Sequence, residues 1–174
     1  GFPARRHRDL ATSLSRIVVG QQLSTHAAQA IWTRLETAAA ARHLALLALF
    51  TAEHAEVLRR CGLSAAKIRT LQGIHGAAGD GRISARTLAR LAHDARQRVL
   101  CSIWGIGRWT ADMVSLFHFR DPDIWPEGDL TVRNTFARYV DAQTKFTMQE
   151  AAALFAPRRS YLALYLWRIA DREP

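Results

Sequence analysis

Helical spacing of apolar residues runs almost unbroken from Leu10 to Ile169. Leu10, Leu14, Ile17 and Val18 set the pattern, and Ala28, Ile31, Trp32 and Leu35 repeat it. No five-residue β-branched run of period two intervenes, so a sheet-based fold is excluded. Ser24 or Thr25 can cap the second helix, and Thr51 can cap the next, with Gly62 as its stop. Ser64 opens a helix through Ile68 and Leu71, and 76–81, rich in glycine, reads as a loop. Shorter helices follow over 83–91 and 94–104, and 105–107 interrupts before 108–119 resumes. The stretch 120–128 has no period, and helices over 130–140, 148–155 and 159–169 complete the chain. The expectation is an all-α fold, a compact bundle of about ten short helices. The 174 residues suit one domain, 1–174, with two lobes and a cleft between them as the variant form.

Composition narrows the partner. Apolar residues are 49% and charged residues 22%, which excludes disorder and collagen. Lys+Arg is 24 against Asp+Glu 15, a net charge of +9, and only Lys67 and Lys145 are lysines. Such a balance favours a polyanion, nucleic acid first and a membrane surface second. No apolar run reaches membrane-spanning length and no secretory leader is read. Cys61 and Cys101 form no CxxC and are too few for a four-cysteine cluster. They read as small buried hydrophobes in a reducing compartment. The seven histidines show no HExxH spacing, so no side-chain metal site is expected.

The most informative segment is Leu100-Cys-Ser-Ile-Trp-Gly-Ile-Gly-Arg-Trp-Thr-Ala-Asp112. Two helical patterns meet at Gly105-Ile106-Gly107. Glycine permits positive φ and close backbone approach, and Ile106 can pack back between the helices. The N–H groups of Gly107, Arg108 and Trp109 would then open a helix N-terminus suited to an anion such as a DNA phosphate. A plain helix connection with a glycine cap is the other reading of the tripeptide.

With its flanks, this string resembles the helix-hairpin-helix element of the DNA glycosylase superfamily whose members carry a Gly/Pro-rich loop and a following aspartate. Here the loop is 122–128 and the aspartate is Asp129. Three further segments match: Ile17-Val-Val-Gly-Gln-Gln-Leu-Ser24, Cys61-Gly-Leu-Ser-Ala-Ala-Lys-Ile-Arg69, and Pro157-Arg-Arg-Ser-Tyr161 through Trp167. The resemblance is nearest to the bacterial alkylpurine (3-methyladenine type II) branch.

The resemblance implies a base-excision-repair enzyme that everts and hydrolyses alkylated purines, 3-methyladenine and 7-methylguanine, from double-stranded DNA. Asp129 would be the catalytic carboxylate, stabilising positive charge on the deoxyribose and orienting water. Its place before Leu130 also suits a helix cap. Where relatives that nick the strand carry a Schiff-base lysine, this chain has Trp109, and neither lysine lies near the hairpin in sequence. A monofunctional enzyme without lyase activity is expected. Trp109, Trp167 and Met113 match base-pocket positions, where aromatic faces would bind a cationic purine. Trp32, Trp104 and Trp125 are the alternatives.

Gly105, Ile106, Gly107, Arg108 and Thr110 would form the DNA-binding hairpin. Gln22 or Leu23 would be the wedge that fills the gap left by the everted base. Otherwise Leu23 is core and the glutamines bond a helix end. Arg133 is a candidate phosphate contact, while Arg82, Arg86 and Arg90 fall at helical spacing as a solvated face or phosphate track. No cofactor is implied beyond a monovalent cation at the hairpin carbonyls. A monomer acting on double-stranded DNA, off the membrane and in the bacterial cytoplasm at the nucleoid, is expected. With a first helix expected near residue 7, the chain is expected to lack the N-terminal α/β subdomain of the best-known bacterial relative. A deaminated or mismatched base such as hypoxanthine is the second substrate reading, and a non-catalytic DNA-binding module the third.

Overall fold

The computed structural model describes residues 2, 9–139 and 146–171. Among them are ten α-helices, two 3-10 turns and no strand, as the periodicity predicts. They divide into two compact units.

One unit holds His7–Ala111. It is built on α1 (Leu10–Gly20), α2 (Thr25–Ala40), α3 (Ala55–Arg60), α4 (Ala65–Gly79), α5 (Ala85–Leu88) and α6 (His93–Cys101). The 3-10 turns Leu46–Leu49 and Ala52–His54 lie between α2 and α3. Side chains start three helices by accepting orphan backbone N–H groups: Asp9 for α1, Ser24 for α2 and Ser64 for α4. α1 packs on α2 and α4. Leu14, Trp32, Leu35, Leu58, Leu71 and Ile74 are fully buried there. Burying each contributes about 1.5–3 kcal/mol.

The structure departs from the expected boundaries where burial outweighs local propensity. α4 runs on through Gly76 to Gly79, because Ala77 beside those glycines is fully buried. The turn comes at Gly81, whose φ is +78°. Thr51 precedes a 3-10 turn, with its hydroxyl bonded to His54, and does not cap α3. Gly62 does stop the chain after α3, at φ +100°. α6 ends at Cys101, and tight turns at Ile103 and Ile106 carry the chain to the glycines.

α7 (Arg108–Phe117) leads into the other unit, which takes up Asp112–Pro174 and the first residues of the chain. It contains α8 (Leu130–Tyr139), α9 (Met148–Ala153) and α10 (Arg159–Ala170). α8 packs on α10 around Leu116, Ile124, Val132, Ala163 and Leu166. A reciprocal capping box between Thr147 and Glu150 starts α9. The expected end of α8 at Val140, Lys145 and the expected start of the first helix near residue 7 lie outside the described residues.

Candidate active site and nucleic-acid interface

Gly105 takes φ +81°, and a Cβ there would meet the Thr70 hydroxyl of α4 at 2.1 Å. Both the backbone and the packing therefore require glycine. A Cβ on Gly107 would meet nothing within 4 Å, so its open side faces no protein. Ile106 is buried while Gly105, Gly107 and Arg108 are exposed. The first N–H groups of α7 have no intrahelical acceptor. Thr110, expected in the DNA-binding hairpin, is 2% exposed, and its hydroxyl accepts from the Gln21 side-chain amide at 2.8 Å. Its side chain ties the hairpin to the loop after α1 and does not stand at the surface.

That loop carries both wedge candidates. Gln22 has φ +56° and is exposed, and Leu23 is 39% exposed, so Leu23 is not core. The Leu23 N–H donates to Gly20 O, closing a tight turn. Gln21, one of the glutamines expected to bond a helix end, does so with its backbone N–H, which donates to Ile17 O and Val18 O at the end of α1. Lys67 anchors the same loop. Its ammonium donates to Val19 O at 2.7 Å and to Gln21 O at 2.8 Å. Though distant from the hairpin in sequence, it lies one hydrogen-bonded residue from Thr110. Burial pushes its pKa down.

Asp129 is 8% exposed at the start of α8. Its Oδ1 accepts from the Val132 N–H at 2.9 Å and from the Trp167 indole N–H at 3.0 Å. The first bond is the expected cap, and the second comes from α10. The preceding loop is gripped by the other end of α10. Arg159 donates to both carboxylate oxygens of Asp123, at 2.7 and 2.8 Å. Ser160 donates to Asp121 O and accepts from the Ile124 N–H. Arg159 holds the Asp123 carboxyl below the usual carboxylate range. No sequence signal marked Arg159, Ser160 or Asp123 beyond membership of matched segments.

Trp167 stacks on Phe117, with ring centroids 5.6 Å apart. This pair lines a cavity of about 720 Å³ with Thr131, Tyr161, Leu164, Tyr165, Arg168 and Asp171, and Asp129 is not part of that lining. Met113 is buried and Trp109 half-buried. Trp32 is 1% exposed, with its indole on Glu36 at 2.6 Å, and belongs to the core. Trp104 is exposed under the Arg69 guanidinium, and Trp125 packs edge-on to Phe136. Arg133 is exposed on α8. Arg82 precedes α5 and pairs with Asp80, and Arg90 follows it, so the three arginines do not share one helical face. Cys61 is buried, which raises its thiol pKa, whereas Cys101 is only half-buried. Among the described residues no group of three His, Cys, Asp or Glu could hold a metal. No described helix is long and apolar enough to cross a membrane.

No protein-family model matches the chain. It is 33% identical over 159 residues to DNA-3-methyladenine glycosylase 1 of Schizosaccharomyces pombe, covering 89% of this chain and 70% of that one. A structure of the 3-methyladenine DNA glycosylase Mag1 of that yeast, in complex with abasic DNA, superposes with a TM-score of 0.84 at 29% identity, over 98% of this chain and 86% of that chain. A DNA-3-methyladenine glycosidase from Bacillus halodurans gives 0.82 at 26% identity, over 99% and 79%. These relatives include a fungal enzyme, so they define the family and not its bacterial branch. The chain belongs to the 3-methyladenine DNA glycosylase family.

Proposed function

We propose that this chain binds double-stranded DNA as a monomer, everts an alkylated purine and hydrolyses its N-glycosidic bond, leaving an abasic site. The observation that carries this reading is Asp129, a buried carboxylate fixed at Oδ1 by a backbone N–H and an indole N–H. Breaking the bond builds positive charge on the sugar. A carboxylate already fixed in place stabilises that charge with little reorganisation and orients the attacking water. N3- or N7-methylation leaves the purine cationic before cleavage, so it departs as a neutral base with little acid help. 3-Methyladenine and 7-methylguanine are therefore the substrates.

Gly105, Ile106, Gly107 and Arg108 present α7's N-terminus to a phosphate, which positions the enzyme without reading sequence. Thr110 supports that turn from inside. Trp109, Trp167 and Met113 receive the base, and Gln22 or Leu23 replaces it in the stack. Arg133 adds a phosphate contact. Trp109 in place of a lysine, and a Lys67 ammonium held by two carbonyls, leave water as nucleophile. No cofactor enters the reaction, and a monovalent cation at the hairpin carbonyls is compatible with it. The place of action is the bacterial nucleoid.

The test is the product profile from methylated duplex DNA. Released 3-methyladenine and 7-methylguanine, with an intact abasic strand and no adduct trapped by borohydride, are expected. A trapped adduct would overturn the monofunctional reading. DNA binding without base release would replace the enzyme with a binding module.

A further inference from the structure

α4 touches both loops that the glycosylase reading sets against DNA, and the inference that follows rests on that reading. α1 ends at Gly20, where the last carbonyls of a helix lack intrahelical donors. Lys67 reaches across from α4 and supplies donors to Val19 O at 2.7 Å and Gln21 O at 2.8 Å. A cation at a helix C-terminus is also favoured by the helix dipole. Lys67 is half-buried, and the two carbonyls meet its ammonium where burial disfavours the charge. Three residues along the same face of α4, Thr70 fills the space over Gly105. Gln21 then closes the circuit, with its side-chain amide donating to Thr110 Oγ1 in α7's first turn at 2.8 Å.

Inside this frame stands Gln22 at φ +56°, a conformation that residues with a Cβ adopt only where their surroundings hold them. Gln22 and Leu23 are both exposed beyond the anchored residues. A wedge must stay extended while base pairs press on it, so its base has to be rigid.

We propose that Lys67 and Gln21 are positioning residues for base eversion, acting through the 20–23 loop to hold Gln22 and Leu23 out at the height set by the hairpin. They serve the opening of the base pair and not the cleavage of the bond. Everting a base costs least when it has no partner. The defect of a loosened wedge should therefore vanish with pairing.

The experiment measures single-turnover release of 7-methylguanine from two synthetic duplexes. In one the lesion faces cytosine, and in the other it faces an abasic-site analogue. The expected result is that Lys67→Met lowers the ratio of paired to unpaired rates about tenfold, and Gln21→Ala by a smaller factor in the same direction. Circular dichroism and thermal melting establish that each variant is folded. If Lys67→Met does not fold, Gln21→Ala carries the test, because Gln21 reaches its partner from an exposed loop. An unchanged ratio in either folded variant overturns the proposal. Wild type releasing no base from either duplex would instead overturn the glycosylase reading beneath it.

Discussion

The hairpin and the Asp129 loop are held by different means. The hairpin is shaped by the backbone. Gly105 sits where no side chain fits, and neighbours in its own unit close over it. The Asp129 loop contains Gly128, yet a Cβ there would meet nothing within 4 Å. It is held by side chains of α10, Arg159 and Ser160 at its start and Trp167 at its end. The turn proposed to bind phosphate needs open backbone, which glycine supplies. The carboxylate proposed to stabilise charge needs a fixed position, which hydrogen bonds from a rigid helix supply.

Replacing glycines sharpens the contrast. Gly105→Ala should cost about 2–4 kcal/mol of folding stability, from positive φ and the clash with Thr70. Gly107→Ala should cost less than about 1 kcal/mol. Denaturant melts of the two variants check this, and equal losses would break the backbone account of the hairpin. On the Asp129 side, Trp167→Phe keeps a ring against Phe117 but removes the indole N–H from Oδ1. Base release should slow about tenfold with DNA affinity little changed, as loss of a hydrogen bond to a charged group predicts. Equal loss in binding and rate would assign Trp167 to the base pocket alone.

The smallest effect concerns the clamp on the loop. Arg159 depresses the Asp123 pKa in the folded chain, so the ionised pair stabilises above the ordinary carboxylate pKa of about 4. That contribution should fade as pH drops through about 4 and below, and it should be absent in Asp123→Asn. The pair is partly exposed, so screening keeps the difference to about 1 kcal/mol or less. Melts between neutral and acid pH would show it, and parallel curves for the two proteins would break the clamp.

The same contrast explains what was legible in the sequence. Helical periodicity gave the all-α class, and glycines marked the hairpin, because these are local signals. Gly76 and Gly79 misled, since burial of Ala77 between them keeps α4 helical to Gly79. Asp129 stood out through its Gly/Pro-rich flank and the family resemblance. For its partner Trp167 the sequence supports only a pocket aromatic, and it marks neither Arg159 nor Asp123. Their bonds join residues far apart in the chain, which no spacing rule encodes. Lys67 shows the same limit, since its two carbonyl partners lie across the unit on α1 and the turn after it.

On the proposed function the Asp129 carboxylate carries the chemistry, while the rest of the chain binds and presents the base. Single-turnover base release from methylated duplex DNA, measured beside DNA affinity for wild type and Asp129→Asn, tests it most directly. The amide preserves the shape and the cap's acceptor oxygen but removes the charge. The rate should fall by about 10²–10³ or more, with affinity changed little. A variant that releases base within about threefold of the wild-type rate would contradict the claim.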